Sequence, residues 1–214
     1  MEKSFTYQYN QKEYQVIVIY KRKKNIAYRF KDNQFLVTAP RIVTISQIRK
    51  GLDKFAKKLI DRYNENKAKD NDENIYLFGD KLDYSESGGQ INYHQMNIEY
   101  KSKEDLVNKL IKVYTQYMVD RTRYYENIMN VYPPYKIKIK KMKSRYGSNS
   151  KQTHTISYAN HLFVYSFDIL DSLIVHELAH HFAFDHSSNF YSIVYKYCPN
   201  YKKDNIKLKK RIYK

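Results

Sequence analysis

Hydrophobic and polar positions repeat with two different periods along this chain, and the changes of period mark out its elements. Residues 5–39 read as β-structure. Tyr14–Tyr20 is rich in β-branched and aromatic side chains, and Ile26–Lys31 and Gln34–Ala39 flank Asp32-Asn33, a two-residue hairpin turn. Pro40 closes this section. Thr44 and Gln47 then form a capping-box start, and Ile48, Leu52, Phe55, Leu59 and Tyr63 recur at helical spacing, predicting one long helix to about Tyr63. The polar stretch Asn64–Asn74 predicts a loop and a boundary. Short strands are expected at Ile75–Phe78, Lys81–Tyr84 and Asn97–Tyr100, around Gly79-Asp80 and Gly88-Gly89. Ser102 caps a second long helix that buries Leu106, Leu110, Tyr114, Tyr117 and Met118, and Pro133-Pro134 stops any helix there.

In Tyr135–Lys140, Ile137 and Ile139 alternate with Lys136, Lys138 and Lys140, which predicts a strand with one apolar and one cationic face. Ser144–Lys151 reads as a turn-rich loop and Thr155–Val164 as a strand. A helix from about Asp168 to Phe184 follows, with Ser166 as its N-cap, then a short helix up to Cys198. The basic tail from Tyr201 reads as a helix or a partly disordered segment.

Chemistry concentrates in that penultimate stretch. Four of the seven histidines (His176, His180, His181 and His186) fall there, and His176-Glu177-Leu178-Ala179-His180 is the zinc-hydrolase pattern H-E-x-x-H. Residues i and i+4 lie about 40° apart around a helix, so His176 and His180 project from one face with Glu177 beside them. Ile169, Leu170, Leu173, Ile174, Val175, Leu178, Ala179, Phe182 and Ala183 make the helix apolar nearly all round, which marks it as buried. Buried imidazoles and a carboxylate without partners would cost several kcal/mol, and a shared ion removes that penalty. The competing structural account is a pair of hydrogen-bonded core histidines beside an ordinary ion pair.

Catalytic zinc takes three protein ligands and keeps a fourth position open. No Glu follows Glu177, and the only downstream carboxylates are Asp185 and Asp204. His186 stands at the metzincin spacing for a third histidine, although Ala183 occupies the place of the glycine that turns the metzincin chain. The expected ligands of one Zn2+ are therefore His176, His180 and His186, with Asp204 in reserve. His181 points about 100° away from His180 and reads as a packing residue. In such a site zinc acidifies water and Glu177, as general base, accepts the proton during attack on a carbonyl. Arg145, Tyr158 and Tyr191 are candidates for stabilising the oxyanion, and these three with Asn160 are candidates for substrate binding.

Composition changes this picture only modestly. Lys+Arg minus Asp+Glu is 39 − 22 = +17 over 214 residues, a balance that attracts polyanions. It has a plainer explanation in codon bias, since the chain carries 24 Tyr, abundant Lys and Asn and no Trp. Nucleic acid nevertheless remains a candidate partner through Lys136, Lys138 and Lys140. The single cysteine, Cys198, excludes an internal disulfide framework and fits a reducing compartment. No apolar signal region opens the chain and no run approaches a membrane span, so a soluble cytoplasmic protein with no membrane partner is expected.

These residues together resemble the YgjP-like metallopeptidases, relatives of the SprT-like zinc proteases. The family's R-W-G-S-C-S loop is similar to Arg145-Tyr146-Gly147-Ser148-Asn149-Ser150, and its I-x-L-N-x-x-L strand to Ile156–Leu162. Its D-Y-V-V-x-H-E-L-A-H-L helix resembles Asp171–His181, its N-H-S-x-x-F-W segment resembles Asp185–Tyr191, and its basic opening strands and proline resemble Tyr20–Lys24 through Ala39-Pro40. Tyr146 replaces Trp, Asn149 replaces Cys and Asp185 replaces Asn, so no thiol can act in that loop here. The resemblance implies a zincin fold, metallopeptidase activity on a peptide or protein, and a ligand set of the two helix histidines and the later one.

The fold class expected is α+β. An antiparallel β-rich N-terminal region with one long helix (residues 1–100) is packed, as one compact unit, on a zincin-like helix–sheet–helix catalytic region (residues 101–214). Two other functions compete with peptidase action. One is hydrolysis of a nucleotide phosphoanhydride or other non-peptide substrate. The other is a non-catalytic nucleic-acid-binding module with a structural metal, against which Glu177 argues, because a structural site needs no general base.

Overall fold

Two tight turns with both central residues at positive φ organise the N-terminal strands. Strands β1 (Glu2–Tyr9) and β2 (Lys12–Tyr20) join through Asn10 and Gln11 (φ 48° and 61°). Strands β3 (Ala27–Lys31) and β4 (Gln34–Ala39) join through Asp32 and Asn33 (φ 50° and 59°), the type I′ signature that fits strand twist. In the computed structural model, which describes residues 2–70 and 73–214, these strands form one sheet of order β1-β2-β4-β3. Its two hairpins are antiparallel as expected, whereas the central pairing of β2 with β4 is parallel. Alternate side chains Tyr14, Val16 and Val18 on β2, with Phe35, Val37 and Ala39 on β4, meet Ile48, Leu52 and Ala56 of helix α1 (Ile45–Asp70) in a closed core.

Helix α1 starts at the expected capping box, where the Thr44 hydroxyl accepts from Gln47 N (3.3 Å) and Gln47 Oε1 accepts from Thr44 N (2.9 Å). It does not stop near Tyr63. It runs through most of the polar stretch read as a loop, because that stretch holds no Pro or Gly to break a helix already nucleated. The chain divides into two compact units, residues 1–73 and 74–214, so the hairpins that follow residue 74 belong with the second unit.

That second unit carries the three clustered histidines. Its hairpins are β5 (Ile75–Leu77) with β6 (Asp80–Leu82), and β7 (Gly89–Tyr93) with β8 (Met96–Tyr100). Helix α2 (Lys103–Met129) is capped by Ser102, whose side chain accepts from Asp105 N, and ends on Asn130 in the left-handed region. Leu106, Leu110, Tyr114 and Met118 form its buried stripe. A second sheet, of order β10-β11-β9, comprises β9 (Lys136–Lys140), β10 (Gly147–Ser150) and β11 (Thr155–Ala159). Strand β10 lies inside the segment read as a loop. Glycine, serine and asparagine carry little strand preference of their own, and antiparallel pairing with β11 overrides it. Strand β11, in the middle, is buried at every position, while β9 alternates exposed lysines with half-buried isoleucines.

After a 3-10 helix at Asn160–Val164 comes helix α3 (Phe167–Ala179), then α4 (Ser188–Tyr197) and α5 (Tyr201–Lys210). Helix α3 ends five residues before the expected Phe184. His181 N and Phe182 N bond back three residues to Leu178 O and Ala179 O, tightening the last turn and stopping the α-helix. The clamp between α2 and α3 is polar: Asp171 accepts from Tyr117 (2.7 Å), Tyr125 (3.1 Å) and the Arg121 guanidinium. No helix among the described residues is long and apolar enough to cross a membrane.

Candidate metal centre

Helix α3 presents His176 and His180 one turn apart, and the chain then reverses so that His186 faces them. The reversal is local. Asp185 Oδ1 accepts from Ser187 N (3.2 Å), His186 adopts φ 51°, and Ser187 caps α4. No glycine is needed, which explains why Ala183 can stand where a turn residue was sought. One ligand atom from each of His176, His180 and His186 lies within 4.8 Å of the other two, and Asp204, the reserve, is not in this cluster.

The ring orientations are set from outside the cluster. His180 Nδ1 lies 3.2 Å from Ala183 O, which can only accept, so this nitrogen carries the proton and Nε2 keeps a free lone pair. His176 Nδ1 is 2.8 Å from the Tyr201 hydroxyl, itself approached by Asn205 Nδ2 (3.3 Å). Tyr201 also stacks on the His176 ring, with planes 9° apart. Burial first, and then the neighbouring imidazoles, hold His176 neutral down to a pKa of about 3, and burial lowers that of His180 as well. The charge of Lys209 adds to the effect at His176.

His186 Nε2 and His176 Nε2 stand 3.3 Å apart. Two nitrogens bound about 2.05 Å from a tetrahedral ion would be separated by about 3.3 Å. Two imidazole nitrogens at this spacing must share a proton or a cation, and three nitrogen donors converging on one point suit a divalent transition metal. The residues fit the group.

Glu177 is 4% exposed, and burial raises its carboxyl to a pKa of about 8, against the opposing field of Arg145. Strand β10 runs along it. A Cβ on Gly147 would fall 2.5 Å from Glu177 Oε1 and 2.9 Å from Cδ, so only glycine admits the carboxylate in this pose. Two residues on, Asn149 Nδ2 donates to Glu177 O (2.8 Å), fixing the helix backbone, while its buried Oδ1 has no partner among the described residues.

The cleft over these groups has a volume of about 410 Å³ and includes Tyr146, Gly147, His176, Glu177, His186 and Tyr191 in its lining. The other predicted residues are placed differently. Arg145 is exposed and reaches Glu177 through its field. Tyr158 is 0% exposed on the middle strand, its hydroxyl 3.2 Å from Thr122 Oγ1, so it is part of the core. Asn160, half-buried at the start of the 3-10 helix, does not line the cleft. His181 turns away to Tyr135 (3.2 Å). Lys136, Lys138 and Lys140 are exposed on β9. Sequence reasoning missed Tyr201, Asn205 and Lys209, all lining the cleft from α5. Their i, i+4, i+8 spacing was the available signal, hidden in a tail that reads mainly as basic.

Residues 24–211 match the family described as YgjP-like, metallopeptidase domain. The chain belongs to the YgjP-like metallopeptidases. The match spans both compact units and contains every residue of the cleft. Among solved structures, the metallopeptidase zymogen of Pyrococcus abyssi abylysin is 26% identical, over 43% of this chain and 93% of that one, with a TM-score of 0.40. The metallopeptidase zymogen of Methanocaldococcus jannaschii jannalysin is 25% identical, over 43% and 91%, with a TM-score of 0.39. No curated protein matches this YgjP-like chain.

Proposed function

We propose that this YgjP-like metallopeptidase hydrolyses peptide bonds with one zinc ion held by His176, His180 and His186 and with Glu177 as general base. The observation that carries the reading is the convergence of three imidazole donors within 4.8 Å beside a buried carboxyl. Zinc would supply Lewis acidity, polarising a carbonyl and acidifying water to near neutrality. Glu177 takes the proton from the attacking water and returns it to the leaving amine. A carboxyl whose proton affinity lies near neutrality suits both transfers. Tyr201 and Ala183 keep the first two imidazoles presenting Nε2. Strand β10 is at a sheet edge, and its outer side offers backbone groups to an extended peptide crossing the cleft. Tyr191, in the lining, and the exposed Arg145 are the candidates for holding that peptide.

The decisive experiment combines metal analysis with activity on denatured protein. One zinc per chain, activity lost with a chelator and restored by zinc, and Glu177→Gln retaining the metal while losing about 10²- to 10⁴-fold in turnover are the expected results. Wild-type rates in Glu177→Gln would end this mechanism.

The exposed lysines of β9 support an accessory role in bringing the peptidase to nucleic acid, as for its SprT-like relatives. If Lys136, Lys138 and Lys140 each neutralise one phosphate, log K should fall against log salt with a slope of about −3 on duplex DNA. No binding at low salt would remove this role. The single cysteine fits action in a reducing compartment such as the cytoplasm.

A further inference from the structure

Helix α5 places Tyr201, Asn205, Leu208 and Lys209 along one wall of the cleft. Tyr201 and Asn205 are engaged around His176. Lys209 is not used in this way. It is exposed, no carboxylate pairs with it among the described residues, and it is the one cation in the cleft lining. Glu177 is the one acid there, and it is enclosed behind Gly147. Arg145 adds a second positive charge next to the lining residue Tyr146. A peptide lying across the histidines therefore meets a wall of Tyr201, Asn205 and Leu208 whose one charge is an unpaired ammonium group, and low-dielectric cleft walls focus such a field onto the bound chain.

We propose that Lys209 makes this enzyme select peptides with a carboxylate close to the scissile bond, either an acidic side chain or the chain's own C-terminus. This rests on the peptidase reading above and adds its substrate class. Nothing covalent is asked of Lys209: it binds, and its effect belongs in substrate selection.

The test is cleavage-site profiling of a peptide library by the zinc-loaded wild type and Lys209→Glu, with C-termini free in one half of the library and amidated in the other. Wild-type sites should be enriched about fivefold in neighbouring Asp or Glu, or in nearby free C-termini, and the amidated half tells these sources apart. Lys209→Glu should lose the enrichment or turn it towards Lys and Arg. As a second readout, a Glu reference peptide should bind zinc-loaded Glu177→Gln about fivefold tighter than its Gln counterpart by fluorescence anisotropy, and Glu177→Gln/Lys209→Glu should abolish the difference. Unbiased wild-type sites, or a bias that survives Lys209→Glu, overturn the proposal while leaving the peptidase intact. If no library peptide is cut, the peptidase reading falls, and the binding ratio alone decides whether Lys209 selects carboxylates.

Discussion

Gly147→Ala asks the sharpest question of this site, because it adds one methyl group and changes no charge. The new Cβ would lie 2.5 Å from Glu177 Oε1, 2.9 Å from Cδ and 3.0 Å from Cγ, where ordinary contacts begin near 3.4 Å. Relief therefore needs a displacement of about 0.9 Å. The φ of Gly147 is not in the left-handed region, so the backbone itself tolerates alanine and the perturbation falls on the carboxylate. A reacting group misplaced by about 1 Å can cost on the order of 100-fold in rate. We expect kcat/KM on a fluorogenic peptide to fall about 100-fold, with zinc content unchanged and a stability loss of about 1–3 kcal/mol from overpacking. Elemental analysis and urea denaturation separate these effects. Near-wild-type kcat/KM in Gly147→Ala would refute the argument that the bare backbone of β10 sets the pose of Glu177.

Three further outcomes follow from the same geometry. Tyr201→Phe removes the hydroxyl on His176 Nδ1, and competition with a chromophoric chelator should show zinc affinity reduced about 10- to 100-fold; unchanged affinity would deny Tyr201 this role. Asp171→Ala leaves Arg121, Tyr117 and Tyr125 without their shared acceptor and should cost about 2–3 kcal/mol in urea denaturation, a loss below about 0.5 kcal/mol contradicting the clamp. In the metal-free protein, His161, His176, His180 and His181 all have lowered pKa values, so below about 6.5 the unfolded chain binds more protons and stability falls with pH. Glu177, raised from 4.5 to about 8, works oppositely and alone between pH 8 and 6.5, where stability rises as pH falls. Thermal unfolding with a chelator present should thus show greatest stability near pH 6.5, and a profile rising steadily towards pH 5 would contradict the assignments.

How far the sequence revealed this arrangement depended on whether the signal was local. The capping box at Thr44, the N-cap Ser102, the Asp32-Asn33 turn and the i, i+4 pair His176 and His180 are fixed by neighbours within a few residues, and each was legible. Strand β10 was not, because Gly147–Ser150 becomes a strand only when β11 offers its backbone. The end of α3 was hidden for a related reason. Phe182, Ala183 and Phe184 continue the apolar pattern of a helix, yet Ala183 is spent on the His180 ring and the chain has already turned. Tyr201 reaches His176 from 25 residues away, a partnership that no periodicity encodes.

His186 brings the third imidazole to the cluster from a left-handed backbone conformation, which for a residue of this kind costs roughly 1–2 kcal/mol. An ion bridging it to α3 would offset that penalty, so metal occupancy and the shape of the 180–187 segment form one equilibrium. Zinc scarcity would then do more than silence the enzyme: it would loosen the hinge between α3 and α4, where the His186 ring packs edge-on against Phe190.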